Sequence, residues 1–241
     1  MTALAMTAFA ANSVLNRMAV GGSFIDPLHF AGLRLLTGAV MLAVLVALRR
    51  GIVWPGGRGR IAGVAGILAY LLGFSLAYVG LPAGVGALIL FGVVQITMFS
   101  GAVLGGEAVP ARRWLGAGIA FCGLLVLLAP AGAAVSALHA GLMAVAGVGW
   151  GVYSLAGRGQ RDALAATAAN FVLALPVMGL AVWAMPAGSV AMQPLGIWLA
   201  LLSGAVTSGL GYALWYQVVP QLGAARAALA QLTVPVLAAG G

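Results

Sequence analysis

Residues 28–48 read LHFAGLRLLTGAVMLAVLVAL and are followed at once by Arg49 and Arg50. An α-helix rises about 1.5 Å per residue, so a run of this length crosses the roughly 30 Å hydrocarbon layer of a bilayer. One charge, Arg34, interrupts it. A surface helix of a soluble domain would show a polar face, and this stretch has none. Eight further runs of the same kind lie at 2–20, 61–79, 84–104, 113–130, 138–157, 164–184, 195–217 and 222–241. Gly and Pro collect between them, as in Trp54-Pro55-Gly56-Gly57 and Met185-Pro186-Ala187-Gly188. Barrel strands would be about ten residues long and alternate in polarity; no such pattern occurs. The sequence predicts an all-α membrane protein, a polytopic helical bundle.

Composition agrees. Of 241 residues, 63% are hydrophobic and only 6% charged, against about 25% charged in ordinary soluble domains. Mean hydropathy is +1.15, which excludes a disordered chain as well. The net charge of +8 comes from eleven arginines. They are dispersed between apolar runs rather than gathered along a groove, so no nucleic-acid partner is expected. A single cysteine, Cys122, rules out an internal disulfide or a thiolate metal cluster. No basic region precedes the first apolar run, as a cleavable signal peptide would require.

The arginines set an orientation. Arg49, Arg50, Arg58 and Arg60 separate spans two and three, Arg112 and Arg113 lie between four and five, and Arg158 and Arg161 between six and seven. The loops after spans three, five and seven carry none. Positive residues favour the cytoplasmic side, so the N-terminus is expected there, in a multi-pass protein of the cell (inner) membrane.

Two internal echoes suggest a repeat. Tyr78-Val79-Gly80-Leu81-Pro82 resembles Tyr216-Gln217-Val218-Val219-Pro220, an offset of 138 residues. Phe9, Ser13 and Arg17 recur as Trp150, Ser154 and Arg158 at an offset of 141. An odd number of spans per copy forces the second copy to enter from the opposite side, giving an inverted 5+5 repeat. Its halves are expected at 1–133 (spans one to five) and 134–241 (spans six to nine). Span nine stops at Gly241 without a counterpart of Glu107 or of span five, so nine of ten helices are expected in the chain.

With these features the chain resembles the drug/metabolite transporter superfamily, specifically its ten-helix EamA-type members. Carrying the resemblance are Phe9-Ala10-Ala11-Asn12-Ser13 with Arg17, Phe30-Ala31-Gly32-Leu33-Arg34, the Tyr78…Pro82 turn, Leu104-Gly105-Gly106-Glu107, and the Tyr216…Pro220…Pro235 run. It covers essentially the whole chain and implies fold more than substrate. Thr97 departs from it, standing where the repeat places Pro235 and where such proteins often carry proline.

Polar groups inside a membrane are costly, so each is a functional candidate. Arg34 lies about seven residues into its span. It either snorkels to headgroups or faces the interior, where a guanidinium suits a carboxylate. Arg17, nearer an interface, reads as an anchor. Phe9, Asn12, Ser13 and Asn16 share one face of span one, as interhelical glue or as a cavity lining. Tyr70, Phe74 and Tyr78 form a stripe on span three, and Trp150, Tyr153 and Ser154 cluster on span six; packing and substrate contact are both open to them. Gln95 and Thr97 match Thr233 and Pro235 at the 138 offset, with Gln231 beside them. Asn170 adds a buried amide in span seven. The expected substrate-binding set is therefore Asn12, Asn16, Arg34, Gln95, Trp150, Tyr153, Asn170 and Gln231.

Gly101/Gly105 and Gly147/Gly151 have the spacing that permits close helix approach, and Gly141 and Gly149 offer a bend in span six. The acids Asp26, Glu107 and Asp162 all fall outside mid-membrane. The smaller four-helix relatives within the resembled superfamily use a buried glutamate for proton exchange, and span one here lacks it. His29 and His139 flank spans and read as interface or capping groups.

The reading that unites these features is a secondary transporter of small organic solutes, amino acids or metabolites, working by alternating access. No cofactor, metal or catalytic residue is expected. A membrane-embedded enzyme lacks the parts for a catalytic constellation; a non-transporting scaffold or truncated remnant is the other alternative. The partners implied are a small-molecule substrate and the lipid bilayer.

Overall fold

The computed structural model describes residues 1–50, 57, 59–106, 110–128, 135–157, 160, 162–185, 190, 192–215, 218, 230–231 and 233–239. Helix α1, Thr2–Asn16, runs on into a π turn at Arg17–Gly21. It is followed by α2 (Pro27–Arg50), α3 (Arg60–Ala77), α4 (Ala83–Leu104), α5 (Ala111–Leu128), α6 (Ala137–Gly157) and α7 (Ala163–Ala184). Helix α8 starts at Pro194–Leu202, passes through a π stretch at Ser203–Leu210 and continues to Trp215. A last short helix, α9, spans Val234–Ala239.

Among the described residues, six helices are long and apolar enough to cross a membrane: α2, α3, α4, α6, α7 and α8. The first expected span is divided, α-helical to Asn16 and π-helical beyond. Of the ninth, only α9 and a few residues before it are described. Glu107, Arg58, Arg158, Arg161, Tyr216, Pro220 and the loop at 186–189 lie outside the described residues.

Local chemistry accounts for the helix starts. Pro194 opens α8 at a position whose N–H would be orphaned anyway. Asp162 caps α7 by accepting from the Ala165 backbone N–H, and Asp26 accepts from the Leu28 N–H at the head of α2. Both carboxylates therefore sit against positive helix ends.

Neighbour pairs give the sense of each helix. Along α3, Gly59 lies beside Ala156, Gly66 beside Gly149, Gly73 beside Leu142 and Gly80 beside His139, so α3 and α6 are antiparallel. Gly147 faces Leu90, Gly151 faces Thr97 and Leu155 faces Gly101, so α4 and α6 run the same way. Asn12 meets Tyr70 and Asn16 meets Ser75, making α1 parallel to α3. Ala8 lies by Gly211 while Asn12 reaches Ser203, making α1 antiparallel to α8. Gly204 abuts Thr37 and Gly209 abuts Met41, making α2 parallel to α8. Gly32 lies by Val182 and Gly38 by Phe171, which reverses α7 relative to α2. Thus α1 opposes α6, α2 opposes α7, and α3 opposes α8. The neighbours correspond too: α6 packs on α3 and α4, and α1 packs on α8 and α9.

Glycine makes the close approach of α3 and α6 possible. A Cβ on Gly66 would sit 2.7 Å from the Gly149 carbonyl oxygen, and one on Gly149 would sit 2.7 Å from that of Gly66. Gly101, Gly147 and Gly151 play the expected packing role between α4 and α6, whereas Gly105 touches only its own helix. Gly149 serves close approach to α3. A side chain at Gly141 would meet nothing within 4 Å.

The outer face is apolar. Leu36, Val40 and Val44 on α2, Val145 and Val148 on α6, and Val177, Leu180 and Trp183 on α7 are all exposed from the bundle. Such a continuous apolar surface belongs in lipid. The chain is a multi-pass helical membrane protein, and the bilayer is its solvent.

Candidate functional site

The polar residues of α1 turn inward. Phe9, Asn12, Ser13 and Asn16 are all buried, as their shared helical face predicts. The Asn12 Oδ1 atom accepts bonds from Ser203 Oγ at 2.6 Å and Thr207 Oγ1 at 3.1 Å, both on α8. Its Nδ2 donates to the Tyr70 hydroxyl on α3 at 3.2 Å. One side chain thus ties α1 to two helices. Asn16 repeats the connection one turn on, donating to Ser75 Oγ at 3.1 Å.

Arg34 does not snorkel. Its side chain is 0% exposed. The Nη2 atom donates to the Tyr70 hydroxyl at 2.8 Å and Nε donates to Ser208 Oγ at 3.0 Å. The guanidinium carbon lies 5.0 Å from the ring centres of both Tyr70 and Phe74, within cation–π range. The Tyr212 hydroxyl is a further neighbour. An interior of hydroxyls and π faces holds the charge better than seven residues of helix would let it reach water.

Around this network lies a small cavity lined by Phe9, Asn12, Ser13, Tyr70, Phe74, Leu90, Phe91, Trp150 and Tyr212. It encloses about 10 Å³, room for about one water. Its wall is an aromatic cage: Trp150 has ring centres 5.0 Å from Tyr70 and 5.0 Å from Tyr212, and Phe9 meets Trp150 edge-on at 6.0 Å. Trp150 Nε1 donates to Gln231 Oε1 at 3.4 Å, linking α6 to the segment before α9.

The remaining candidates are elsewhere. Tyr153 and Asn170 line a second cavity, with Gly59, Arg60, Ala156 and Thr167, where α3 and α7 begin and α6 ends. Tyr153 donates to Thr167 Oγ1 at 2.8 Å, or accepts from it. Arg60 Nη1 donates to the Ala166 carbonyl at 2.8 Å and to Asn170 Oδ1 at 2.5 Å. Gln95 is half-buried on α4 and is not among the residues lining either cavity. Arg17 donates from Nη1 to the Tyr78 and Val79 carbonyls, both at 2.8 Å. Those are orphan acceptors at the end of α3, so it anchors protein rather than headgroups.

The structure thus brings Asn12, Arg34, Trp150 and Gln231 together, with Asn16 one turn away; Tyr153, its ring centre 5.5 Å from that of Trp150, stands between this cluster and the second cavity, where Asn170 lies, and Gln95 lines neither. Sequence reasoning left out Tyr70, Ser203, Thr207, Ser208 and Tyr212. Tyr70 had been singled out in its stripe. Ser203, Thr207 and Ser208 offered a signal as well: three hydroxyls within six residues of an apolar span. They lie on the π stretch of α8, and such departures from α-helix are frequent at functional sites.

The sequence profile of the EamA-like transporter family matches residues 1–129 and 138–240. A Pseudomonas aeruginosa protein, described only as uncharacterized, is 47% identical over 239 residues, covering 99% of this chain and 83% of that protein. The chain belongs to the EamA-like transporter family, whose members are membrane transporters of small solutes rather than enzymes. A crystal structure of a protein superposes with a TM-score of 0.65 at 18% identity, covering 98% of this chain and 86% of the other. That likeness concerns the fold alone.

Proposed function

We propose that this protein is a secondary transporter of small organic solutes, amino acids or related metabolites, that works by alternating access. The observation that carries the reading is the polar and aromatic cavity where α1, α3, α4, α6 and α8 meet inside a lipid-facing bundle. Buried hydroxyls, amides and a guanidinium are costly in such surroundings, and here they converge on one place. At about 10 Å³ the cavity is too small for an organic solute, which would enter as helices separate on one side.

Two inverted halves, 1–133 and 134–241, are the device we propose for that motion. In support, α1, α2 and α3 run opposite to α6, α7 and α8, and the family profile matches in two stretches. Rocking one half against the other would open the cage alternately to each face. We place the N-terminus in the cytoplasm of a cell whose inner membrane holds the protein, on the arginine distribution. Asn12, Asn16, Arg34, Trp150 and Gln231 are proposed to line or shape the central site. Tyr153 and Asn170 are proposed to act at the gate between α3, α6 and α7, and Gln95 in the movement of α4.

Counterflow in proteoliposomes tests the reading. Vesicles preloaded with the right unlabelled solute should accumulate labelled solute transiently, and Asn12→Ala should slow the exchange. A full amino-acid and carboxylate panel without any exchange would leave a scaffold as the better description.

A further inference from the structure

A buried charge needs a counter-charge or a full set of hydrogen bonds. Arg34 has neither. A guanidinium has five N–H donors; here it has three hydroxyl oxygens to serve them, those of Ser208, Tyr70 and the neighbouring Tyr212. Among the described residues the acids are Asp26 and Asp162, both at helix starts and bound to backbone N–H groups there. Neither approaches Arg34.

Donors are in surplus around it. The Tyr70 oxygen accepts from both Asn12 and Arg34, which fills its two lone pairs and turns its own proton outward at the cavity wall. Ser208 Oγ likewise receives Arg34 Nε and keeps a proton to give. Ser13 and Tyr212 add hydroxyls that can give as well as accept, and Asn12 Oδ1, the amide acceptor at the wall, already takes two hydroxyls. The bare Asn16 Oδ1 is a turn further along, outside the cavity wall. A cation ringed by idle donors is a half-site for an anion. Beyond Asn12, Ser13, Tyr70, Tyr212 and Leu90, the wall is made of the aromatic side chains of Phe9, Phe74, Phe91 and Trp150.

We infer that the central cavity takes an organic monoanion, a single carboxylate carried on an apolar or aromatic body, met at the wall by the Tyr70 hydroxyl with the Arg34 guanidinium, itself held by Ser208, directly behind it. An ammonium group would find no carboxylate there, so a des-amino acid fits better than the corresponding amino acid. The inference rests on the transport reading for its purpose, and on the geometry of Arg34 for its chemistry.

The test uses the purified full chain in detergent at pH 7. Its Tm is followed with benzoate, 3-phenylpropanoate and indole-3-acetate, with their primary amides, with phenylalanine, and with chloride at equal concentration. At least one acid should raise Tm by about 5–10 °C at a hundredfold excess over its Kd, while its amide and chloride leave Tm unchanged and phenylalanine acts more weakly than 3-phenylpropanoate. Arg34→Lys should weaken the response at least about tenfold, since a point charge lacks the fork. Ser208→Asp should supply the missing counter-charge, raising the ligand-free Tm by about 2 °C or more and abolishing the response to acid. The inference is overturned if amides or chloride match the acids, if no acid shifts Tm, or if folded Ser208→Asp still responds. Counterflow separates the two claims. An acid that binds without being exchanged removes transport and keeps the anion site. Exchange of neutral solutes with no preference for acids removes the anion site and keeps transport.

Discussion

Arg34 and Asn12 are the two residues whose replacement reads most directly on the site. Hydrogen bonds to a charged group contribute about 1.5–3 kcal/mol, equivalent to about ten- to a hundredfold in affinity. Solute exchange by Arg34→Ala is therefore expected to fall by about tenfold or more in proteoliposomes; equal rates for variant and wild type would remove Arg34 from the site. Asn12→Ala strands the Ser203 hydroxyl and removes the contacts to Thr207, which keeps the Ser203 carbonyl as acceptor, and to Tyr70. Polar contacts between membrane helices average about 0.6 kcal/mol each, so three of them amount to about 2 kcal/mol. Thermal denaturation should show a Tm lower by about 4–8 °C. The burial of Asn12 was legible in the sequence, because four polar or aromatic residues on one face cannot all meet lipid. Which way Arg34 turned was not. Seven residues from a helix end permits both snorkelling and an inward rotamer, and only the Tyr70 and Ser208 partners decide it.

At the scale of helices, α3 packs closely against α6, where Gly66 and Gly149 bring two backbones together. Gly149→Leu would drive a side chain into the Gly66 carbonyl. Overpacking typically costs about 1–3 kcal/mol, and a junction bounded by backbone on both sides cannot relax by moving a flexible side chain. Purified variant should lose about 2–12 °C of Tm, while Gly141→Leu, with open space around it, should match wild type. Equal stability for both would mean that α3 and α6 sit further apart than described. The glycine spacing at 147 and 151 correctly announced close packing but could not name the partner helix. A π stretch in α8 was invisible to apolar periodicity, because its residues remain small and apolar apart from three hydroxyls.

For the whole molecule, orientation is the property that charge controls and packing does not. With Cys122, an exposed residue, replaced by serine, single cysteines at Gly57 and Val190 should label from opposite sides. A membrane-impermeant maleimide on intact cells should reach residue 190 and spare residue 57 until the membrane is opened; the reverse pattern would invert the proposed topology. The sequence by itself determined the solvent, the helical class and the approximate spans, because a chain with this little charge can satisfy its backbone in lipid only by closing hydrogen bonds within each helix. It also determined which way each helix must run, since short loops force alternation. Only the tertiary structure decided which polar groups share a chamber. Tyr70, Ser203 and Ser208 come from distant parts of the chain, and no local pattern records that α1, α3 and α8 turn those faces toward one another. Helix rotation about its own axis is set by side-chain packing between neighbours, and that information is spread over every contact at once.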